Sequence, residues 1–325
     1  MRAWLEYGSI SDKIRTQKRI VMDTELAPTE AEQQAKRERV ALIALPIILL
    51  IAIGLAWAGS YQGARVISIP IFALCVIIAF LTQWVFAIPS FISQTEKYFD
   101  LVGSLTNTLT TLLALILIDV RDTRTLLLAS VVVIWAVRLG IFLFRRIQQS
   151  GSDSRWDDLK KSFIRFFLAW TLQGLWVSFT LATAWGAMTS SEHVPFGIVG
   201  AIGLLIWAIG FAIEVLAYWQ KSQFRAKPEN AEKFITSGLW SVSRHPNYFG
   251  EITLWVGIAL LALPALQGWQ WVTLISPVFV ALLITRISGV PMLEEKADER
   301  WGGQEDYEAY KARTPVLIPN PLQKP

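Results

Sequence analysis

The sequence predicts an all-α polytopic membrane protein with about eight transmembrane helices and both termini in the cytoplasm. Three observations carry that prediction. The chain is 53% hydrophobic with a mean hydropathy of +0.43, and only 17% of its residues are charged, against about a quarter in soluble proteins. Its apolar residues gather into eight runs, at 40–58, 66–92, 101–118, 126–144, 163–188, 195–219, 252–266 and 270–287. Most of these approach the ~20 residues that span a hydrocarbon core. Lys and Arg fall in alternate connections: eight in 1–39, five in 145–162, five in 220–250 and five after 287. The intervening loops 59–65, 119–125, 189–194 and 266–270 hold one, two, none and none. With eight spans every basic-rich segment lies on one side, which the positive-inside rule makes the cytoplasm.

The same composition closes off other classes. The net charge of +4 comes from basic loops between apolar runs, so no nucleic-acid partner is predicted. The single Cys75 lies within a span and allows no intrachain disulfide. Two histidines, His193 and His245, and one cysteine do not make a His/Cys centre, so no metal is expected. The first 39 residues carry no central apolar stretch, and no cleavable signal peptide is expected.

Taken in order, residues 1–39 read as a cytoplasmic polar leader with eight basic and seven acidic residues. Within it, "PTEAEQQAKRERV" predicts a helix that starts near Pro28–Thr29 and runs into the first span. Residues 40–92 hold two N-terminal spans, 93–291 a membrane core studded with polar residues, and 292–325 a cytoplasmic tail. A charge inside a span is costly and usually faces a cavity or a partner, so each one marks a candidate site residue. The third span opens at Asp100, with Ser104, Thr106, Asn107, Thr108, Thr110 and Thr111 following; Asp100 also suits a helix cap. Arg138 sits inside the fourth span, about two turns before Arg145, and either snorkels or holds a partner. In the sixth, Glu214, Tyr218, Lys221 and Arg225 are spaced by four, three and four and share one face. That stripe allows Glu214 to pair with Lys221 or Arg225.

The seventh span is preceded by "SVSRHPNYFGEITLW". Pro246 suits the first turn of a helix, and Asn247 and Glu251, four apart, share the face that follows. Free N–H groups at a helix start attract anions, and Arg244 and His245 add donors. The stretch predicts a grip on phosphate or carboxylate, with anchoring by interfacial Arg and Tyr as the plainer alternative. The runs 252–266 and 270–287 are short and nearly contiguous, which predicts a tight helical hairpin. All the candidate residues fall on the predicted cytoplasmic side, pointing to one cavity there for a charged cofactor.

The segments "EKYFDLVGSLT", "WAVRLGIFLFRRI", "WTLQGLW", "SGLWSVSRHPNYFGE" and "SGVP" together resemble the membrane steroid 5α-reductase superfamily over roughly residues 96–291. Within it they resemble the bacterial proteins grouped as DUF1295. The resemblance implies about seven membrane helices, here preceded by an added span, in a bacterial inner membrane. It implies NADPH held in a cytosol-facing pocket and reduction of an activated carbon–carbon double bond in a lipophilic, sterol- or isoprenoid-like substrate. By motif position, cofactor contacts fall on Asn247, Glu251, Arg225 and Lys233, and Arg138 matches an intramembrane Arg. Glu214 and Tyr218 stand where those enzymes carry Asn and Asp. Asp100 takes the place of a catalytic Glu, and Trp135 that of a catalytic Tyr. A Trp cannot donate a phenolic proton, though its indole N–H can bond a carbonyl.

The tail, "LEEKADERWGGQEDYEAYKARTPVLIP", resembles instead the end of isoprenylcysteine carboxyl methyltransferases and related phospholipid methyltransferases. In those an Arg-His-Pro-x-Tyr element helps hold S-adenosylmethionine, and Arg244, His245, Tyr248, Glu294 and Glu295 fit that pattern. Two enzyme readings therefore stand, an NADPH-dependent oxidoreductase acting on CH–CH groups and an S-adenosylmethionine-dependent methyltransferase. The motifs around Asp100 and Arg138 favour the first. A transporter would gather its charges near the midplane. The expected partners are membrane lipids and a lipophilic small molecule, and the oligomeric state stays open, a monomer included.

Overall fold

The computed structural model describes residues 29–150 and 156–320, with side chains omitted at 146–150. The first 28 residues of the leader, the basic loop side chains Arg146 and Arg155, and the last five residues of the tail lie outside the described residues. Helix α1 (Glu30–Gly59) begins where the sequence predicts. The Glu32 N–H donates to the Thr29 hydroxyl at 3.2 Å and the Thr29 N–H donates to the Glu32 carboxylate at 2.8 Å, a reciprocal cap. A two-residue hairpin, β1 (Arg65–Val66) with β2 (Ile69–Pro70), takes up the start of the run predicted from 66. Ile67 turns there with φ +58°, and Pro70 leads into α2 (Ile71–Ile92).

Helices α3 (Phe99–Leu117), α4 (Thr123–Ser150), α5 (Phe163–Met188) and α6 (Ile198–Arg225) occupy the next four runs. Helices α4 and α6 continue beyond their apolar segments toward the basic connections. Helix α7 (Pro246–Ala262) starts six residues before the apolar run at 252 because Pro246 fits a helical first turn, so Asn247 and Glu251 are helical. The last span enters as a 3-10 helix (Gly268–Leu274), continues as α8 (Ile275–Leu282) and closes in a π-turn (Leu283–Ile287). Among the described residues, eight helical stretches are long and apolar enough to cross a membrane, and the protein is an integral membrane protein.

Helix α5 is the most enclosed span and packs against α1, α2, α3, α4, α7 and α8. Its Trp185 meets Phe72 of α2 edge-on with ring centroids 6.0 Å apart. The connections sort to two ends. At one, Asp158 accepts from Arg37 at 2.6 Å and Arg165 at 2.7 Å, and Lys160 meets Glu96 at 2.5 Å. At the other, the Ala64 N–H donates to the Thr189 carbonyl at 2.6 Å, and Arg124 reaches the carbonyls of Val194 at 2.6 Å and Leu261 at 3.0 Å.

Helices α6 and α7 run antiparallel with backbones in contact. A Cβ on Gly210 would lie 2.5 Å from the Leu254 nitrogen and 2.7 Å from the Gly250 oxygen, and one on Gly250 would lie 2.6 Å from the Glu214 nitrogen. Gly203 and Gly257 repeat this seven residues along each helix. Small residues permit such approach in membranes, and here they set Glu214 against the start of α7.

The polar segment after the last span folds back as α9 (Val290–Trp301) and α10 (Glu305–Arg313). It clasps the loop between α6 and α7: the Arg244 N–H donates to the Pro315 carbonyl at 2.9 Å, and the Trp301 indole donates to the Glu232 carbonyl at 2.8 Å.

Candidate functional site

The α6–α7 loop is held by local turns. Gly238 adopts φ +64°, a region open to glycine, and the Leu239 N–H then donates to Gln220 Oε1 at 2.9 Å. This turn brings the Trp240 indole N–H to the Ala217 carbonyl at 3.1 Å and its ring under the Lys221 ammonium, 4.5 Å from the centroid. The Tyr310 hydroxyl donates to the Trp240 carbonyl at 2.7 Å, and burial pushes that phenol up, so it stays a donor.

Between this loop, the end of α6 and the folded-back α9–α10 lies a cleft of ≈ 290 Å³. Among the described residues its walls carry six cationic side chains, Lys221, Arg225, Lys233, Arg244, Lys296 and Arg300, and a single carboxylate, Glu294. That carboxylate is already shared: Oε2 accepts from Arg244 Nη2 at 2.8 Å and Oε1 meets His245 Nε2 at 2.7 Å. Arg244 Nε and His245 Nδ1 are buried with no hydrogen-bond partner among the described residues. Trp240, Trp301, Tyr307 and Tyr310 supply aromatic walls. Excess cationic charge beside aromatic faces suits an anionic ligand with a planar ring.

Behind the cleft, within the bundle, Arg138 of α4 pairs with Glu214 of α6. The guanidinium lies 4.8 Å from the Tyr218 ring centroid and 5.9 Å from that of Phe142. Glu251 of α7 is within electrostatic reach of Glu214 and Arg138, and Asn247 lies at the Tyr218 hydroxyl. Glu214 is 0% exposed and Asn247 5%. Glu214 Oε2 and Asn247 Oδ1 have no hydrogen-bond partner among the described residues, an unusual state for buried polar atoms.

The structure therefore brings Arg225, Lys233, Arg244 and His245 to the cleft, and Arg138, Glu214, Asn247 and Glu251 together behind it. Tyr248 stacks on His245 with centroids 5.7 Å apart and links the two groups. Trp135 belongs to neither: it is fully buried, edge-on to Trp255 at 4.9 Å and 6.4 Å from Trp176. Asp100 is half-buried in the first turn of α3, one turn before Ser104, whose hydroxyl donates to the Ala136 carbonyl of α4. One pairing is corrected. Lys221 and Arg225 lie ~10 and ~16 Å along the helix from Glu214, and the partner of Glu214 is Arg138. Glu294 joins the cleft, while Glu295 is exposed. Lys296, Arg300 and Tyr307 of the cleft lie in the tail segment from which the sequence reading singled out Glu294 and Glu295 but not them. The spacing of Lys296 and Arg300, four apart on one helix face, is the signal that marks them.

A family model described as "Protein of unknown function (DUF1295)" matches residues 85–314. No curated protein and no solved structure matches the chain. The matched region takes in α3 to α10 and every residue of the cleft, and leaves α1 and most of α2 outside it. The chain belongs to the DUF1295 family.

Proposed function

We propose that this protein is a membrane reductase that binds NADPH in the cationic cleft and reduces an activated carbon–carbon double bond in a lipophilic, sterol- or isoprenoid-like substrate. The observation that carries the reading is charge. Six cations face one carboxylate, which Arg244 and His245 already occupy. A phosphorylated dinucleotide bears several negative charges, and Arg forks hold phosphate oxygens in pairs. The orphaned buried atoms of Arg244, His245 and Asn247 supply two ring or guanidinium nitrogens and an amide oxygen that the phosphates and carboxamide of such a ligand would engage.

On this reading Arg225, Lys233, Arg244 and His245 hold the phosphates. Asn247 and Glu251 orient the amide, and Arg138 with Glu214 fixes the α4–α6 wall behind it. When bound, the cofactor supplies a hydride to the β-carbon of the conjugated substrate. The chain's own residues bind, orient and exclude water. Trp135, with Trp255 and Trp176, closes the interior against solvent, and Asp100 holds a proton for the substrate or polarises its carbonyl. The basic end, with its cleft, faces the cytoplasm of a bacterial cell because positive loops are retained there, and the substrate arrives from the surrounding lipid.

A second reading draws on Glu294. The Arg244–Glu294–His245 clasp joins the two segments that resemble methyltransferases. The cleft, at ≈ 290 Å³, lies at the small end of the ~300–1,000 Å³ typical of ligand sites, which favours S-adenosylmethionine over a whole dinucleotide. Thermal unfolding of the detergent-purified protein separates the two. NADPH and NADP⁺ are expected to raise the midpoint, by about 2.7 kcal/mol of stabilisation at a hundredfold excess over Kd, and Asn247→Ala to lose the effect. Stabilisation by S-adenosylmethionine alone overturns the reductase reading.

A further inference from the structure

We infer a second ligand site at the end opposite the cleft: a groove between α1 and α2 that binds one glycerophospholipid, with the acyl chain along the helices and the phosphate at Arg65. The groove has a volume of ≈ 720 Å³. Its walls are one face of α1, from Leu49 to the C-cap Ser60, and one face of α2, from the N-cap Pro70 to Trp84. At 1.5 Å per residue these run for ~16 and ~21 Å. A single leaflet of a ~30 Å hydrocarbon core is ~15 Å deep. The groove therefore has the depth of one leaflet and not of the whole bilayer, which suits an acyl chain better than a crossing helix from a second copy.

Chemistry divides the groove in the same way. Its deep part is aliphatic and aromatic. The residues toward its α1 C-terminal end are Ser60, Tyr61, Gln62 and Arg65, and Trp57 packs against Trp269 there at 5.3 Å between centroids. Trp and Tyr collect where acyl chains meet head groups. Among the described residues, Arg65 is the only ionisable cation lining the groove, and no acidic residue lines it. Arg65 is exposed and uses Nη1 on the Ser68 carbonyl at 3.2 Å. Its remaining guanidinium donors match one phosphodiester, and Ser60 Oγ is buried without a partner among the described residues. Apart from Trp269, every lining residue precedes the region matched by the family, so the site belongs to the two N-terminal spans. It does not depend on the cofactor assigned to the cleft.

The test is native mass spectrometry of the full chain purified in a delipidating detergent, with lipid extraction and identification. Wild type is expected to retain about one glycerophospholipid per chain. Ala73→Trp, which fills the groove from a partly exposed position, is expected to remove it. Arg65→Gln, on the surface and safe for folding, is expected to weaken retention about tenfold, the size of one lost charge-assisted contact. Retention of no lipid, retention unchanged by Arg65→Gln, retention of a quinone or isoprenoid in place of a phospholipid, or a dimer that Ala73→Trp dissociates each overturns the proposal.

Discussion

Glu214 has lost all contact with solvent, and Arg138 reaches it from another helix as its partner inside the bundle. The Tyr218 and Phe142 rings hold the guanidinium from the sides. Removing one member leaves the other as an unpaired charge in a low-dielectric interior. Glu214→Ala and Arg138→Met are each expected to destabilise the protein by about 3–5 kcal/mol, and Arg138→Met with Glu214→Leu to recover most of that loss. Unfolding in mixed detergent and dodecyl sulfate measures the cycle; strictly additive losses would show that the two do not act as a pair. The residues of this pair were legible one at a time, because a charge within an apolar run is conspicuous. Their pairing was not legible, since 76 residues separate them and only the packing of α4 on α6 brings them together.

At the scale of elements, the contact between α6 and α7 is the structural decision that matters most. Gly203, Gly210, Gly250 and Gly257 let the two backbones touch, and the offset of that contact determines which turn of α7 faces Glu214. Gly250→Val is expected to cost about 1–3 kcal/mol by overpacking and to abolish ligand stabilisation by displacing Glu251. Gly54, whose Cβ would meet nothing within 4 Å, is the control: Gly54→Ala is expected to stabilise by about 0.5–1 kcal/mol. Thermal midpoints with and without NADP⁺ read both, and equal effects of the two substitutions would refute the close-contact account. The spans themselves were legible because sustained hydropathy is a local property. The start of α7 was legible too, from Pro246 at a helical first turn, although its apolar run begins only at 252. The return of α9 and α10 over the loop was not, because it depends on hydrogen bonds to backbone carbonyls that no periodicity announces.

For the molecule as a whole, the proposed orientation rests on an asymmetry of charge. The basic end gathers the start of α1, both segments that flank the cleft and the loop after α4, whereas the opposite end holds Arg65, Arg121 and Arg124 among its connections. Reporter fusions at residue 325 are expected to read cytoplasmic, and an insertion at Ser191 to read on the far side; the reverse pattern would turn the cleft away from any cytoplasmic cofactor. Sequence counting gives this expectation because orientation depends on totals over loops. The tail was legible at the site only through Glu294 and Glu295; that Lys296, Arg300 and Tyr307 line the same wall as Glu294 depends on its folding back.

That wall has a consequence for how the protein is made. The spans can enter the bilayer one after another as they leave the ribosome, but Glu294, Lys296, Arg300, Tyr307 and Tyr310 emerge only after the apolar part of the eighth span. Until then Arg244 and His245 have no carboxylate to order them and the cleft has no outer side. The eight spans are thus made before the cleft is complete, and on the proposed reading ligand capture waits for that order.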